Sequence, residues 1–243
     1  MIVNSADPSI SSRLSKDQYR AITSQIIHGI SVGSSIEKLL DLVSMHSISA
    51  AILARTFFES LLNASFLTLA EADTSRRVNL HKVYKDYREQ VQVEKIGSLL
   101  FRIERRTKIN KRHPVVAAAI QEFDPSGSGR AKAMLTSDRH QKIAFIHEKN
   151  RDAGICFFAA EKMIYSLASD LAHSEQAAID SLKQEYSELC FTLLSASMLA
   201  IRGTTECLEG LTLTPDVKHL ASACDLFFNS AVPENFEAQE QQE

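Results

Sequence analysis

The sequence predicts an all-α protein, a single multi-helix bundle with one central buried helix and long C-terminal helices. Three observations carry that expectation. Only eight Gly and five Pro interrupt the 243 residues, and no stretch alternates apolar and polar side chains over the length of a strand. Residues 47–72 are apolar on nearly every side, as a helix at the centre of a bundle must be. Hydrophobic residues make up 44% of the chain, enough to fill the core of one domain of this length.

Residues 1–14 read as a loose N-terminal arm. Ser15-Lys-Asp-Gln then places a hydroxyl cap before a helix running to about Ile30. Gly29 and Gly33 are expected to break it, and a short amphipathic helix should follow over 35–45. The central helix comes next, carrying Ile52, Leu53, Phe57, Phe58, Leu61, Leu62 and Phe66. A charged helix over 75–95 has Val78, Val83, Tyr87 and Val91 as its inward stripe, and a further helical stretch covers 96–106.

His113-Pro114 should open a new element, since proline suits a first helical turn. The run DPSGSGR at 124–130 is the clearest loop. Ser137-Asp138 can cap a helix from about Arg139 to His173, bent near Gly154. Another long helix follows over roughly 174–208, and Pro215 starts a last one reaching about Asn229. The helical domain thus spans 15–230, with 231–243 as a disordered acidic tail.

A formal net charge of −3 gives no global basic field to draw the molecule onto nucleic acid, so such contacts must come from a local patch. Residues 102–113, RIERRTKINKRH, supply the candidate: Arg102, Arg105, Arg106, Lys108, Lys111 and Arg112. Its bland alternative is a solvated turn, because no aromatic is interleaved for base stacking. The four cysteines lack metal or redox spacing and read as buried reduced thiols. The apolar segments carry internal charges or are too short to cross a bilayer, and the first residues lack the order of a signal peptide, which predicts a cytoplasmic protein without membrane contact.

Arg55, Glu59 and Asn63 fall at i, i+4 and i+8, one polar line down an apolar cylinder. A buried guanidinium and carboxylate need partners, and an internal ion pair fixing helix register is the bland reading. Glu161, Tyr165, Ser169 and His173 recur at the same spacing on a second helix, where His173 at a helix end also suits simple solvation. No phosphate-binding glycine loop, hydrolase elbow or zinc-helix motif is present. His140, His147 and Glu148 do not complete a metal cage. No metal and no cofactor is expected.

The segments ARTFFESLLNASFL (54–67) and YSLASDLAHS (165–174), with the tyrosine-bearing charged helix between them, resemble a group of uncharacterised bacterial helical proteins. That group shares an Arg-x3-Glu helix and, about a hundred residues later, a Tyr-x3-Ser-x3-His helix, and the likeness spans roughly 50–210. Its architecture is in turn similar to the HEPN class of helical bundles, many of them metal-independent ribonucleases in toxin and antiphage systems. The resemblance implies catalytic roles for Arg55, Glu59, Tyr165, Ser169 and His173. His173 would take the ribose 2′-hydroxyl proton, Arg55 would stabilise phosphate charge, and Glu59 and Ser169 would orient them. RNA as substrate, a homodimer and a partner protein are the implied associations. The chain departs from the usual HEPN signature, whose Arg and His lie in one short motif; only Arg106-x6-His113 has that spacing, and His113 precedes a proline.

Two other functions compete. A non-catalytic interaction or self-association module would use the Arg-Glu and Ser-His lines only to lock the bundle. A small-molecule pocket lined by residues 57–66 and 156–158, with Arg55 at its base, would clamp a carboxylate or phosphate.

Overall fold

The computed structural model describes residues 14–41, 47–96, 99–104, 109–127, 138–172, 186–209, 219 and 222–226. The expected N-terminal arm (apart from Leu14), the acidic tail and most of the expected last helix lie outside them. The all-α architecture holds, with one local addition, a two-stranded hairpin.

Helix α1 spans Lys16–Asp41. Its start is a reciprocal cap: Ser15 Oγ accepts from the Gln18 backbone N–H at 3.2 Å, and the Gln18 side chain accepts from the Ser15 N–H at 3.1 Å. The helix runs through Gly29 and Gly33 instead of ending there. Both glycines face α2, Ser47–Leu69, and a Cβ at Gly33 would lie 3.1 Å from the Phe57 ring. Gly33 serves close helix packing, a tertiary demand that outweighs its weak helix propensity, whereas a Cβ at Gly29 would make an ordinary 3.5 Å contact with Leu61.

α2 carries Ala50, Ala54, Phe58, Leu62, Ser65 and Leu67 in the core, all of them at most 2% exposed. Its buried hydroxyls are satisfied locally or across the bundle: Ser60 and Thr68 donate to carbonyls four residues back, and Ser65 donates to Thr204 Oγ1 at 3.3 Å. Ile52, expected inside, is exposed.

α3 covers Ala72–Arg88 and buries Ser75, Val78 and Tyr84. The expected stripe is therefore half right: Tyr84 goes inward because it meets Phe123, at a ring distance of 5.7 Å, whereas Val83 and Tyr87 stay partly exposed. The described residues of the helix expected over 96–106 are strand instead. Strands β1, Val91–Ile96, and β2, Leu99–Glu104, pair antiparallel from Val91 opposite Glu104 to Ile96 opposite Leu99. Their β-branched and aromatic content, with Gly97-Ser98 between them in sequence, is the hairpin signal that helix propensity obscured.

Pro114 opens α4, Pro114–Phe123, as its first-turn preference requires. After Gly127, at φ 65, residues 128–137 are outside the described set. Asp138 caps α5, Arg139–Lys149, with a complete capping box to Gln141. The expected long helix then breaks at Asn150 instead of bending at Gly154. Asn150 is extended, its Oδ1 accepts the Ala153 N–H at 3.0 Å, and α6, Arg151–Ala172, starts anew. Gly154 allows the tight return: a Cβ there would sit 2.4 Å from the His147 Cα.

α7 spans Tyr186–Glu209 and packs along α6, where Gly203 lies against Phe157. α2 touches α1, α5, α6 and α7, so the main core forms around it, sealed by an edge-to-face Phe58–Phe157 pair at 6.1 Å. A second small cluster, Tyr84, Ala119 and Phe123, joins α3 to α4. Among the described residues no helix is long and apolar enough to cross a membrane.

Candidate functional site

α2 and α6 are neighbours, and their contact brings Arg55, Glu59 and Tyr165 together. Arg55 Nε donates to Glu59 Oε1 at 3.1 Å along one face of α2. The Tyr165 hydroxyl donates to that same carboxylate oxygen from α6. Tyr165 is fixed from behind by an edge-to-face contact with Phe58, ring to ring 6.1 Å. The Arg55–Glu59 pair is not buried as the apolar helix had suggested: the two side chains are 52% and 47% exposed. An arginine and a glutamate at the rim of the helix contact keep their solvation, which removes the penalty of an interior ion pair.

The buried ion pair belongs to residues that sequence reading did not combine. Arg139, at the first turn of α5, donates through Nε to Glu161 of α6, whose side chain is only 2% exposed. Glu161 Oε2 is buried and has no hydrogen-bond partner among the described residues. His140 adds a nitrogen 3.4 Å from Glu161 Oε1. The Arg139 guanidinium lies 3.5 Å from the centre of the Tyr165 ring and that of Arg55 4.6 Å, so two cations share one aromatic side chain. The third residue of the polar line, Asn63, accepts from Lys142 Nζ at 2.8 Å.

Three basic side chains, Arg55, Arg139 and Lys142, thus stand around two carboxylates, Glu59 and Glu161, a formal surplus of one cation. The hydrogen bond to Glu59 raises the Arg55 pKa, opposed by burial. For Arg139 burial opposes the charge, but the bond to Glu161 and the contact with Tyr165 outweigh it and the pKa rises. Burial lowers the Lys142 pKa, with Glu59 and Asp138 pulling it back in part. Burial, then the bond to Glu59, raises the Tyr165 phenol and keeps it protonated, opposed by Arg139. Such an arrangement suits a bound anion held by guanidinium groups. Among the described residues no group of three His, Cys, Asp or Glu could hold a metal ion.

The remaining candidates are distributed differently. Ser169 lies on α6 one turn beyond Tyr165, with its side chain outside the described set, and His173 lies outside the described residues. In the basic run Arg102 belongs to β2, Lys111 and Arg112 form an exposed turn before α4, and Arg105, Arg106 and Lys108 lie outside the described residues. His140 and His147 do not converge: His147 Nδ1 contacts the Arg151 carbonyl at 3.2 Å. The pocket expected near residues 57–66 and 156–158 is filled where Phe58 and Phe157 pack on each other. Cys156, Cys190, Cys207 and Cys224 are all free, with Cys207 and Cys224 buried.

Arg139 and Lys142 were missed because their partners Glu161, Tyr165 and Asn63 lie on other turns and helices, at spacings that carry no pattern in the sequence. Only the fourfold spacing from Glu161 to Tyr165 hinted that this face of α6 awaited partners. No protein-family model, curated protein or solved structure matches the chain.

Proposed function

We propose that this chain is a HEPN-like, metal-independent endoribonuclease of the effector type, acting at the Arg55–Glu59–Tyr165–Arg139 cluster. The observation that carries the reading is the meeting of the Arg-x3-Glu face of α2 with the Tyr-bearing face of α6, at a half-exposed place with a second arginine. In this mechanism Arg55 and Arg139 hold the scissile phosphate and stabilise the charge of its phosphorane. Glu59 orients Arg55 and the Tyr165 phenol. His173, eight residues after Tyr165 in the chain, takes the 2′-hydroxyl proton. The 2′-oxygen attacks phosphorus, and the 5′-oxygen leaves with a proton from solvent, giving a 2′,3′-cyclic phosphate and a 5′-hydroxyl.

A non-catalytic interaction module is the second reading. It is favoured by the way Tyr165 pairs with Glu59 and Arg139 with Glu161, which ties the motif side chains to one another across the helices. The deciding experiment is total-RNA integrity and growth in bacteria expressing the wild type beside Arg55→Ala and His173→Ala, with folding checked by circular dichroism. Breakdown that persists with purified protein in EDTA and vanishes in both folded variants is expected. Intact RNA in every strain would sink the ribonuclease and leave the cluster as a lock between helices.

A further inference from the structure

A cavity of about 620 Å³ opens between the start of α1, the flank of α3 and the start of α4. It falls in the size range of small-molecule sites. Four cations line it, Lys16, Arg20, Arg76 and Lys82, against two carboxylates, Asp17 and Asp86. Asp17 is tied into the wall, since Asn79 Nδ2 donates to its carboxylate at 3.1 Å and to its carbonyl at 3.0 Å. Arg76 also pairs with Asp73 at 4.0 Å, and with that carboxylate counted the four cations still outnumber the acids around a cleft whose aliphatic floor is Leu80, Val83, Val115 and Ala118. Val115 is 46% exposed there. The first turn of α4 points the same way electrostatically, because its cap residue His113 makes no side-chain hydrogen bond to it. Lys111 and Arg112 are exposed in the turn immediately before, so the basic run of the sequence ends beside the cleft.

From this we infer that the α1–α3–α4 cleft binds a nucleoside polyphosphate. Four cations from two helices around one cleft match a chain of phosphates better than a lone carboxylate. The aliphatic floor takes the base and ribose by apolar contact, and the absence of an aromatic from the lining leaves the phosphates as the main source of affinity. The site is separate from the Arg55 cluster. Gln18, next to the cleft, bonds the Ala70 carbonyl at the far end of α2, about 22 Å along the helix from Arg55 at about 1.5 Å per residue. The inference does not depend on the ribonuclease reading.

Calorimetric titration of the full chain with ATP, with ADP, with inorganic phosphate and with a short RNA oligonucleotide tests it. ATP is expected to bind with a Kd below about 1 mM and at least about tenfold more tightly than phosphate. The double variant Arg76→Glu/Lys82→Glu is expected to weaken ATP by about tenfold or more, through loss of charged hydrogen bonds. Ala118→Trp, which fills the floor without touching a charge, should weaken ATP as well, while Arg55→Ala leaves binding unchanged. An oligonucleotide that competes with ATP and fails in the same variants would support the same phosphate chemistry with an RNA strand as its source. Absence of ATP and oligonucleotide binding, phosphate binding as tight as ATP, or ATP binding indifferent to both variants in folded protein overturns the proposal.

Discussion

The Tyr165 hydroxyl donates to the Glu59 carboxylate across 106 residues of chain, and that bond joins α2 to α6 at the candidate site. Removing the hydroxyl while keeping the ring isolates it. Tyr165→Phe is expected to lower stability by about 1 kcal/mol, below the usual range for a bond to a charged group because Glu59 is half solvated. Urea unfolding measures this, and a midpoint equal to wild type would show that the bond contributes nothing.

The Arg139–Glu161 pair should behave differently. Arg139→Met leaves a carboxylate that is 2% exposed without its cation, at an expected loss of about 3 kcal/mol. The double variant Arg139→Met/Glu161→Leu should recover most of that loss, because no buried charge remains. A double-mutant cycle by urea denaturation reads the coupling; additive losses in the cycle would mean that the two side chains do not depend on each other.

His81 sits edge-on to Phe123 at 5.0 Å, and burial, then Lys85 and Arg77, lowers its pKa from 6.5. Between the lowered folded value and 6.5 the unfolded chain binds more protons, so stability rises with pH through that window and falls on acidification. Melting temperatures at about pH 7.5 and about pH 5.5 should drop further for wild type than for His81→Gln. Equal drops would remove His81 as a source of acid sensitivity.

Two glycines give opposite signs. A methyl at Gly154 would lie 2.4 Å from the His147 Cα, so Gly154→Ala forces α5 and α6 apart and is expected to destabilise by about 1–3 kcal/mol despite better helix propensity. At Gly29 the nearest atom is an ordinary 3.5 Å away, and Gly29→Ala should stabilise by about 0.5–1 kcal/mol. Thermal melts of the two variants moving in the same direction would contradict this packing.

Burial pushes the Cys207 thiol up to about 12, against a weaker opposing bond from Ser65. Alkylation at about pH 8 should therefore leave Cys207 unmodified in the folded protein and label it after unfolding, since the thiolate is the reacting form. Rapid native labelling, mapped by peptide mass, would place Cys207 at an accessible surface.

Some of this was legible before folding was considered. The caps at Ser15 and Asp138, the start of α4 at Pro114 and the apolar character of α2 are local properties, set by side chains within a turn of the position they control. The hairpin was hidden because 91–104 mixes charges with β-branched residues, and Gly33 was misread because a glycine that admits a neighbouring helix looks in sequence like one that ends its own. In the site, the Arg55–Glu59 spacing was readable along one helix, as was the repeat from Glu161 to Tyr165 along another.

The sequence alone determined the helical class, most helix starts and two one-dimensional rows of polar side chains, since periodicity and capping are encoded between near neighbours. Only the tertiary structure decided which rows face each other. It placed Arg139 over Tyr165, buried Glu161 instead of Glu59, and brought Lys142 to Asn63. Those pairings follow from the angle and depth at which α5 and α6 pack on α2, and that geometry is set by close contacts such as Gly154 on His147 and Phe58 on Phe157, between residues whose spacing in the chain carries no pattern.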